Sequence, residues 1–308
     1  MSALPRVSIG LPVHNGQRYL ARTIESILAQ DFPDFELLIG DNGSTDLTAD
    51  ICARYAARDP RVRVHRSVQN KGAAWNYNRL VDLARGEYFK WAADDDLLEP
   101  TFLSRCVQAM DADPQCALSY CGVLEIDADG EPRREYAFPA RYAEDAEPVR
   151  RVVSVVAEHT MCYEVFGLMR REQLAGTSRI GPYYGSDRTL LAEVAALGRF
   201  VRVPQVLFLS REHPHRMRYA ADWTAWHDTA RAGRPTLPTW RLLGEYARLV
   251  WGLPAPAREK ARGLAAVARW ATSRRGFLLR QLALWSLHRS VVGRPVLKRS
   301  RARRATAP

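Results

Sequence analysis

Residues 7–46 read VSIGLPVHNGQRYLARTIESILAQDFPDFELLIGDNGSTD, two short apolar runs on either side of an amphipathic one. In the first run Val7, Ile9, Leu11 and Val13 alternate with small residues and Pro12 closes the run, which predicts a short buried strand. Between Tyr19 and Gln30, Leu20, Ile24, Ile27 and Leu28 share one stripe at helical spacing. Phe35–Asp41 predicts the next strand. The alternation continues with a helix over 45–57, a strand over 62–66, a helix over 73–84 stopped by Gly86, and a strand over 88–93. Pro100 then opens a helix to Met110, and a strand over 117–126 runs into the turn residues Asp129-Gly130. Such alternation predicts βαβ units around a largely parallel sheet, with ligands beyond the carboxyl ends of the strands. Asp41-Asn42 and Asp94-Asp95-Asp96 both fall at predicted strand ends.

After residue 130 the pattern is less regular. Helices are predicted over 150–158 and 186–197, and strands over 166–170 and 200–209. Two further apolar stretches, 240–251 and 263–292, predict a helical extension. In the first of them Leu242, Leu243, Tyr246, Leu249 and Val250 form one stripe.

The chain has 308 residues, 47% hydrophobic and 26% charged, which excludes a disordered chain and a disulfide-stapled mini-protein. No charge-free apolar run is long enough to span a bilayer, and the first residues lack the pattern of a signal peptide, so a cytoplasmic chain is expected. Five scattered cysteines without a CxxC pair suit reduced, structural thiols. The net charge of +11 is uneven: residues 231–308 hold 18 basic and 2 acidic side chains. A body with a basic tail suits an anionic partner, either nucleic acid or an anionic membrane face. The tail has no nucleic-acid-binding motif, and its Trp240, Trp251, Trp270 and Trp285 favour peripheral contact with the inner membrane face. The alternative is a set of helices packed on the body with an Arg-rich end.

Motifs for a Rossmann dinucleotide site, a P-loop, a zincin and a nucleophile elbow are absent. The strongest chemical signal is Asp94-Asp95-Asp96. Three adjacent carboxylates repel unless they are solvated at a helix start or neutralised by a hard divalent cation that also takes diphosphate oxygens.

The wider pattern resembles the family 2 glycosyltransferases. The elements that carry it are Val7–Gly16; Tyr19-Leu20, Ile24, Ser26, Leu28 and Gln30; and Leu38–Asp46. They continue with Asn70-Lys71-Gly72, Asn76 and Asn78; Gly86-Glu87-Tyr88; and Asp94–Pro100. Gly167–Arg171, Gly185-Ser186-Asp187-Arg188 and Arg211–Pro214 complete the series, which spans residues 5–216. The resemblance implies a GT-A fold, an α/β architecture with a mainly parallel central sheet flanked by helices. It implies a hexosyltransferase-class inverting enzyme that moves a sugar from a UDP- or TDP-sugar to an acceptor hydroxyl in surface glycan or glycolipid synthesis. Residues 1–98 would be the nucleotide-sugar half, 99–222 the acceptor half and 223–308 the basic helical extension.

By the same resemblance, Pro12, His14 and Asn15 lie under the base and ribose, and Asp41 accepts the N3–H of a uracil or thymine ring. Asn42 stands where a second aspartate is common. Asn70 and Lys71 flank the nucleotide. Asp94 and Asp95 are assigned to the donor, and Asp95, Asp96 and His213 to Mg²⁺ or Mn²⁺, although Ala93 occupies the first acid of a D-x-D-D spacing. His215 is a fallback ligand, and Arg211 offsets phosphate charge. Asp187 is the general base, with Glu193 a weaker candidate and a helix-capping role the alternative. Two other functions fit a related scaffold: a non-catalytic nucleotide-sugar binder, and a nucleotidyltransferase, whose glycine-rich loop is missing.

Overall fold

The computed structural model describes residues 4–139, 143–158, 161–214, 216 and 237–292, the last six of these in backbone only. His215, the 222/223 boundary and the Arg-rich segment from 293 lie outside the described residues.

The first half follows the predicted alternation: β1 (Val7–Val13), α1 (Leu20–Leu28), β2 (Phe35–Asn42), α2 (Thr48–Ala56), β3 (Val62–Ser67), α3 (Ala73–Leu83) and β4 (Tyr88–Trp91). After a two-residue β5 (Leu97–Leu98) come α4 (Phe102–Ala112), β6 (Cys116–Ile126), β7 (Pro132–Tyr136) and α5 (Pro148–Ala157). A 3-10 turn (Tyr163–Phe166) leads into β8 (Leu168–Arg170), α6 (Arg171–Ala175), α7 (Ser186–Leu197) and β9 (Arg199–Arg211). The extension holds α8 (Pro238–Gly252), α9 (Ala257–Ser273) and α10 (Arg275–Val292). The apolar stretch 263–292 falls on two helices, broken near Arg274.

One sheet runs through the molecule in the order β3-β2-β1-β4-β8-β6-β9-β5, with β7 paired to β6. β1 lies between β2 and β4, parallel to both, with Val13 opposite Asp41 and Gly10 opposite Trp91. The short β8 is antiparallel to β4 on one side and to β6 on the other, while β9 is parallel to β6. Two reversals cancel, so β6 and β9 point the same way as β1–β4. The six main strands therefore present their carboxyl ends along one edge. β5, β7 and β8 are the strands that run against them.

Both faces of the sheet are covered, which explains the continuous burial of β1 and β2. Trp91, Phe89 and Tyr88 of β4 are among the largest fully buried side chains. The extension packs on α5 and α7: Leu242, Tyr246 and Val250 are buried, and Tyr246 meets Trp270 edge-on at 5.2 Å. Trp251, Phe277, Leu279 and Leu284 stay exposed. Among the described residues no helix is long and apolar enough to cross a membrane.

Candidate active site

At the carboxyl edge, the loops after β1 and β2 are sewn together by side chains. Asn15, in the left-handed region at φ 56°, donates its backbone N–H to Ser44 Oγ at 2.9 Å, and its side-chain oxygen accepts Thr45 N–H at 2.9 Å. Gln17 N–H reaches Asp46 Oδ2 at 3.1 Å, and Asp46 Oδ1 accepts the N–H of Thr48 at the start of α2. Pro12 is buried in β1 opposite Gly40, while His14 stands exposed beside Asn15.

Asp41 is fully buried at the end of β2. Its Oδ1 accepts Ser44 N–H at 3.0 Å, and its Oδ2 lies 3.2 Å from Arg66 Nε. Asn42 spends its amide on the loop after β3: it donates to Asn70 Oδ1 (2.9 Å) and the Gly72 carbonyl (3.1 Å) and accepts from Lys71 N–H (3.0 Å). Asn42 is thus the residue that shapes the 70–72 loop. Lys71 and Arg79 lie over the Trp75 ring at 4.5 and 4.3 Å. Arg79 also donates to the Asp41 and His65 carbonyls, fixing the ends of β2 and β3.

The acidic turn follows β4. A Cβ at Gly16 would run into the Asp94 carboxylate, so the absence of a side chain lets the β1 loop close over the turn. Asp95 Oδ2 lies 2.9 Å from His213 Nε2. Asp96 is buried rather than solvated: Oδ1 accepts Arg211 N–H at 2.7 Å, and Oδ2 faces Arg216 Nη2 at 3.8 Å. Burial first, and then the charge of Asp95, raises Asp94 well above the ordinary carboxylate range and pushes Asp96 up to about 7. The charges of Arg216 and Arg211 offset only part of that effect on Asp96. Arg211, wholly buried, donates to the Asp95, Asp127 and Ala128 carbonyls, so its guanidinium braces the turn and is not left for phosphate. Arg211 lies 4.8 Å over the Tyr19 ring, and the His213 ring lies 4.9 Å from it at a tilt of 44°.

Asp187 occupies the first turn of α7. Gly185, at φ +84°, caps that helix, and Asp187 Oδ1 accepts Arg188 N–H at 2.9 Å. Among the described residues no hydrogen bond or ion pair joins Asp187 to Asp41 or to the 94–96 turn. Glu193 is engaged elsewhere, accepting Ser178 N–H and O–H at 2.7 and 2.9 Å. The strand directions thus gather Asp41, Asp94–Asp96 and His213 on one edge, with Asp187 on a separate helix. Arg66, Arg79 and Arg216 were not singled out from sequence. In a chain where all but four of the 45 basic residues are arginine, one more arginine carries no signal.

The chemistry of this donor set fits a hard divalent ion: carboxylates beside an imidazole, with the buried Asp96 Oδ2 accepting no hydrogen bond. Among the described residues no three such groups already converge on one point.

A family model described as Glycosyl transferase family 2 matches residues 8–174, more than half of the chain. The chain belongs to that family. The glycosyltransferase is 38% identical over 130 residues to chondroitin synthase of Escherichia coli, a stretch covering 42% of this chain and 19% of that one. It spans half or less of the length of the curated relatives it matches. Among solved structures it resembles S. aureus TarS 1–349 in complex with UDP-GlcNAc, with a TM-score of 0.63 at 15% identity, covering 87% of this chain and 73% of that one. It also resembles mannosyltransferase PcManGT from Pyrobaculum calidifontis, solved with GDP-Man and Mn²⁺, with a TM-score of 0.52 at 19% identity over 96% and 82% of the two chains. At such identities the likeness is one of fold, and that fold is GT-A. The family match sets aside the nucleotidyltransferase.

Proposed function

We propose that this glycosyltransferase inverts the anomeric centre of a UDP- or TDP-sugar as it passes the sugar to an acceptor hydroxyl of a surface glycan or glycolipid. The observation that carries this reading is the shared carboxyl edge, where buried Asp41 and the Asp95–His213 pair at 2.9 Å flank loops locked by Asn15 and Asn42. In this reading residues 1–98 take the donor, 99–222 face the acceptor and 223–308 form the extension. Asp41 accepts the base N3–H, and the fixed loops of Pro12, His14, Asn15, Asn42, Asn70 and Lys71 bound the nucleoside. Asp94 and Asp95 face ribose and diphosphate. Asp95, Asp96 and His213 would hold Mg²⁺ or Mn²⁺, which when bound supplies positive charge to the departing diphosphate. Asp187 takes the acceptor proton on the face opposite the leaving group. A screen of UDP- and TDP-sugars tests the reading, with nucleotide release followed in Mg²⁺, Mn²⁺ or chelator. Turnover should require the metal; release indifferent to chelator overturns the metal assignment, and a GDP-sugar preference overturns the pyrimidine one.

The extension supports a second element of the proposal, contact with an anionic inner membrane face. Exposed Trp251, Phe277, Leu279 and Leu284 accompany its basic excess. Flotation with anionic but not zwitterionic vesicles is the expected result, and equal flotation with both counts against it.

A further inference from the structure

The segment that leads into Asp187 is held from two directions. At its near end, Asn78 of α3 makes a reciprocal pair with Ile180: its Nδ2 donates to the Ile180 carbonyl at 2.9 Å, and its Oδ1 accepts Ile180 N–H at 3.1 Å. At its far end, the turn from Gly181 to Gly185 rests on α8. Arg241 lies 4.0 Å over the ring of buried Tyr183, whose hydroxyl meets Thr189 Oγ1 of α7 at 3.1 Å. Leu242 is buried directly against Gly185, where even a Cβ would come within 2.9 Å of Leu242 Cδ1. Gly185 is at φ +84° and bears the first intrahelical bonds of α7, accepting Arg188 and Thr189 N–H. Asp187 sits two residues beyond it. Buried Tyr246, one turn on from Leu242, lies within electrostatic reach of both Asp187 and Arg188.

We infer that α8 is a positioning element for the general base: Leu242 and Arg241 fix the Gly181–Gly185 turn, and through it the place of Asp187. This rests on the reading of Asp187 as the base. It gives the extension a part in turnover that lies outside the stretch matched by the family model. The physical reason is leverage. A glycine in the left-handed region has wide conformational freedom, so the start of α7 is held by what packs on it. An ångström of drift at a base costs up to about a hundredfold in rate.

The test uses the full chain, with Leu242→Ala, Arg241→Ala, Asp187→Asn and the double variant Leu242→Ala/Asp187→Asn. UDP titration reads the donor side, nucleotide release from a panel of UDP- and TDP-hexoses reads turnover, and amide exchange at 186–189 reads the turn. Leu242→Ala should keep UDP affinity and donor KM within about twofold, lower kcat about tenfold, and speed exchange at 186–189. Arg241→Ala, whose side chain is 46% exposed, should do the same about threefold without threatening the fold. In the Asp187→Asn background, Leu242→Ala should lower turnover no further, because both act through one group. Wild-type kcat and exchange in both α8 variants beside an inactive Asp187→Asn overturn this inference alone, as does a full additional loss in the double variant. Wild-type turnover by Asp187→Asn overturns the assignment of the base, and this inference with it.

Discussion

Residues 1–98 and the region around Asp187 hold their polar groups in different ways. In residues 1–98 each loop is tied to its neighbour by side chains of the loops themselves: Asn15 to Ser44 and Thr45, Gln17 to Asp46, and Asn42 to residues 70–72. Asp187, by contrast, sits after a turn that is anchored by α3 and α8, elements distant in the chain. On the proposed function, a nucleotide site built the first way would exist before its ligand arrives, and a base held the second way could be displaced without disturbing nucleotide binding.

The largest effect that would break this contrast is at Asp187. Asp187→Asn should lower kcat by about a thousandfold, within the range for a general base, and leave UDP affinity unchanged in a calorimetric titration. A parallel loss of UDP affinity would mean that the two halves are not separable. Asp41→Ala should do the reverse. UDP affinity should weaken about tenfold or more, the worth of a charge-assisted hydrogen bond, with kcat at saturating donor near wild type. If kcat collapses and affinity holds, the donor-side role of Asp41 fails.

Smaller effects sharpen the contrast through stability. Lys90 is wholly buried in β4, where its Nζ donates to the Trp91 carbonyl at 2.9 Å, and burial brings it down to about 8 from 10.5. Between those values the unfolded chain binds the extra proton, so stability should rise as pH climbs from 8 to 10.5. Lys90→Met should remove that slope and raise stability at pH 7 by about 1 kcal/mol, roughly 2–4 °C in Tm. An unchanged alkaline slope in thermal melts would show that Lys90 is not its source. The smallest effect is expected at Glu36, at the opposite end of the donor half. Burial alone would raise this carboxyl, but hydrogen bonds from Arg85, Ser8 and Arg63 hold it below its ordinary 4.5. A depressed carboxyl stabilises the fold above pH 4.5, and that contribution fades as the pH drops through the lower folded value. Glu36→Gln should flatten the acid limb of a Tm–pH curve. A limb identical to wild type would remove Glu36 from the account.

The strand and helix order up to Ile126 was legible, β5 apart, because each of those elements carries its own period. β5 was not: two residues hold no period, and the strand exists through pairing with Leu209 and Phe208. β7 (PRREY) is exposed and polar, so no apolar alternation marks it. At the site, Asp41 and Asp95 stood out as acids at predicted strand ends and His213 through the family resemblance, whereas the work of Arg79, Arg211 and Arg216 depends on contacts with partners far off in the sequence. Asn42, legible as a departure from an aspartate, turns out to shape the neighbouring loop.

Local periodicity and residue chemistry alone determined that this chain builds βαβ units with acids at strand ends, since both are written within a few residues of one another. Only the tertiary structure decided that β8 restores the direction of β6 and β9, so that His213 meets Asp95, and that α8 lies against Gly185. Those outcomes depend on which segments pack together across more than fifty residues, and packing of that range leaves no repeat in the chain for a reader to find.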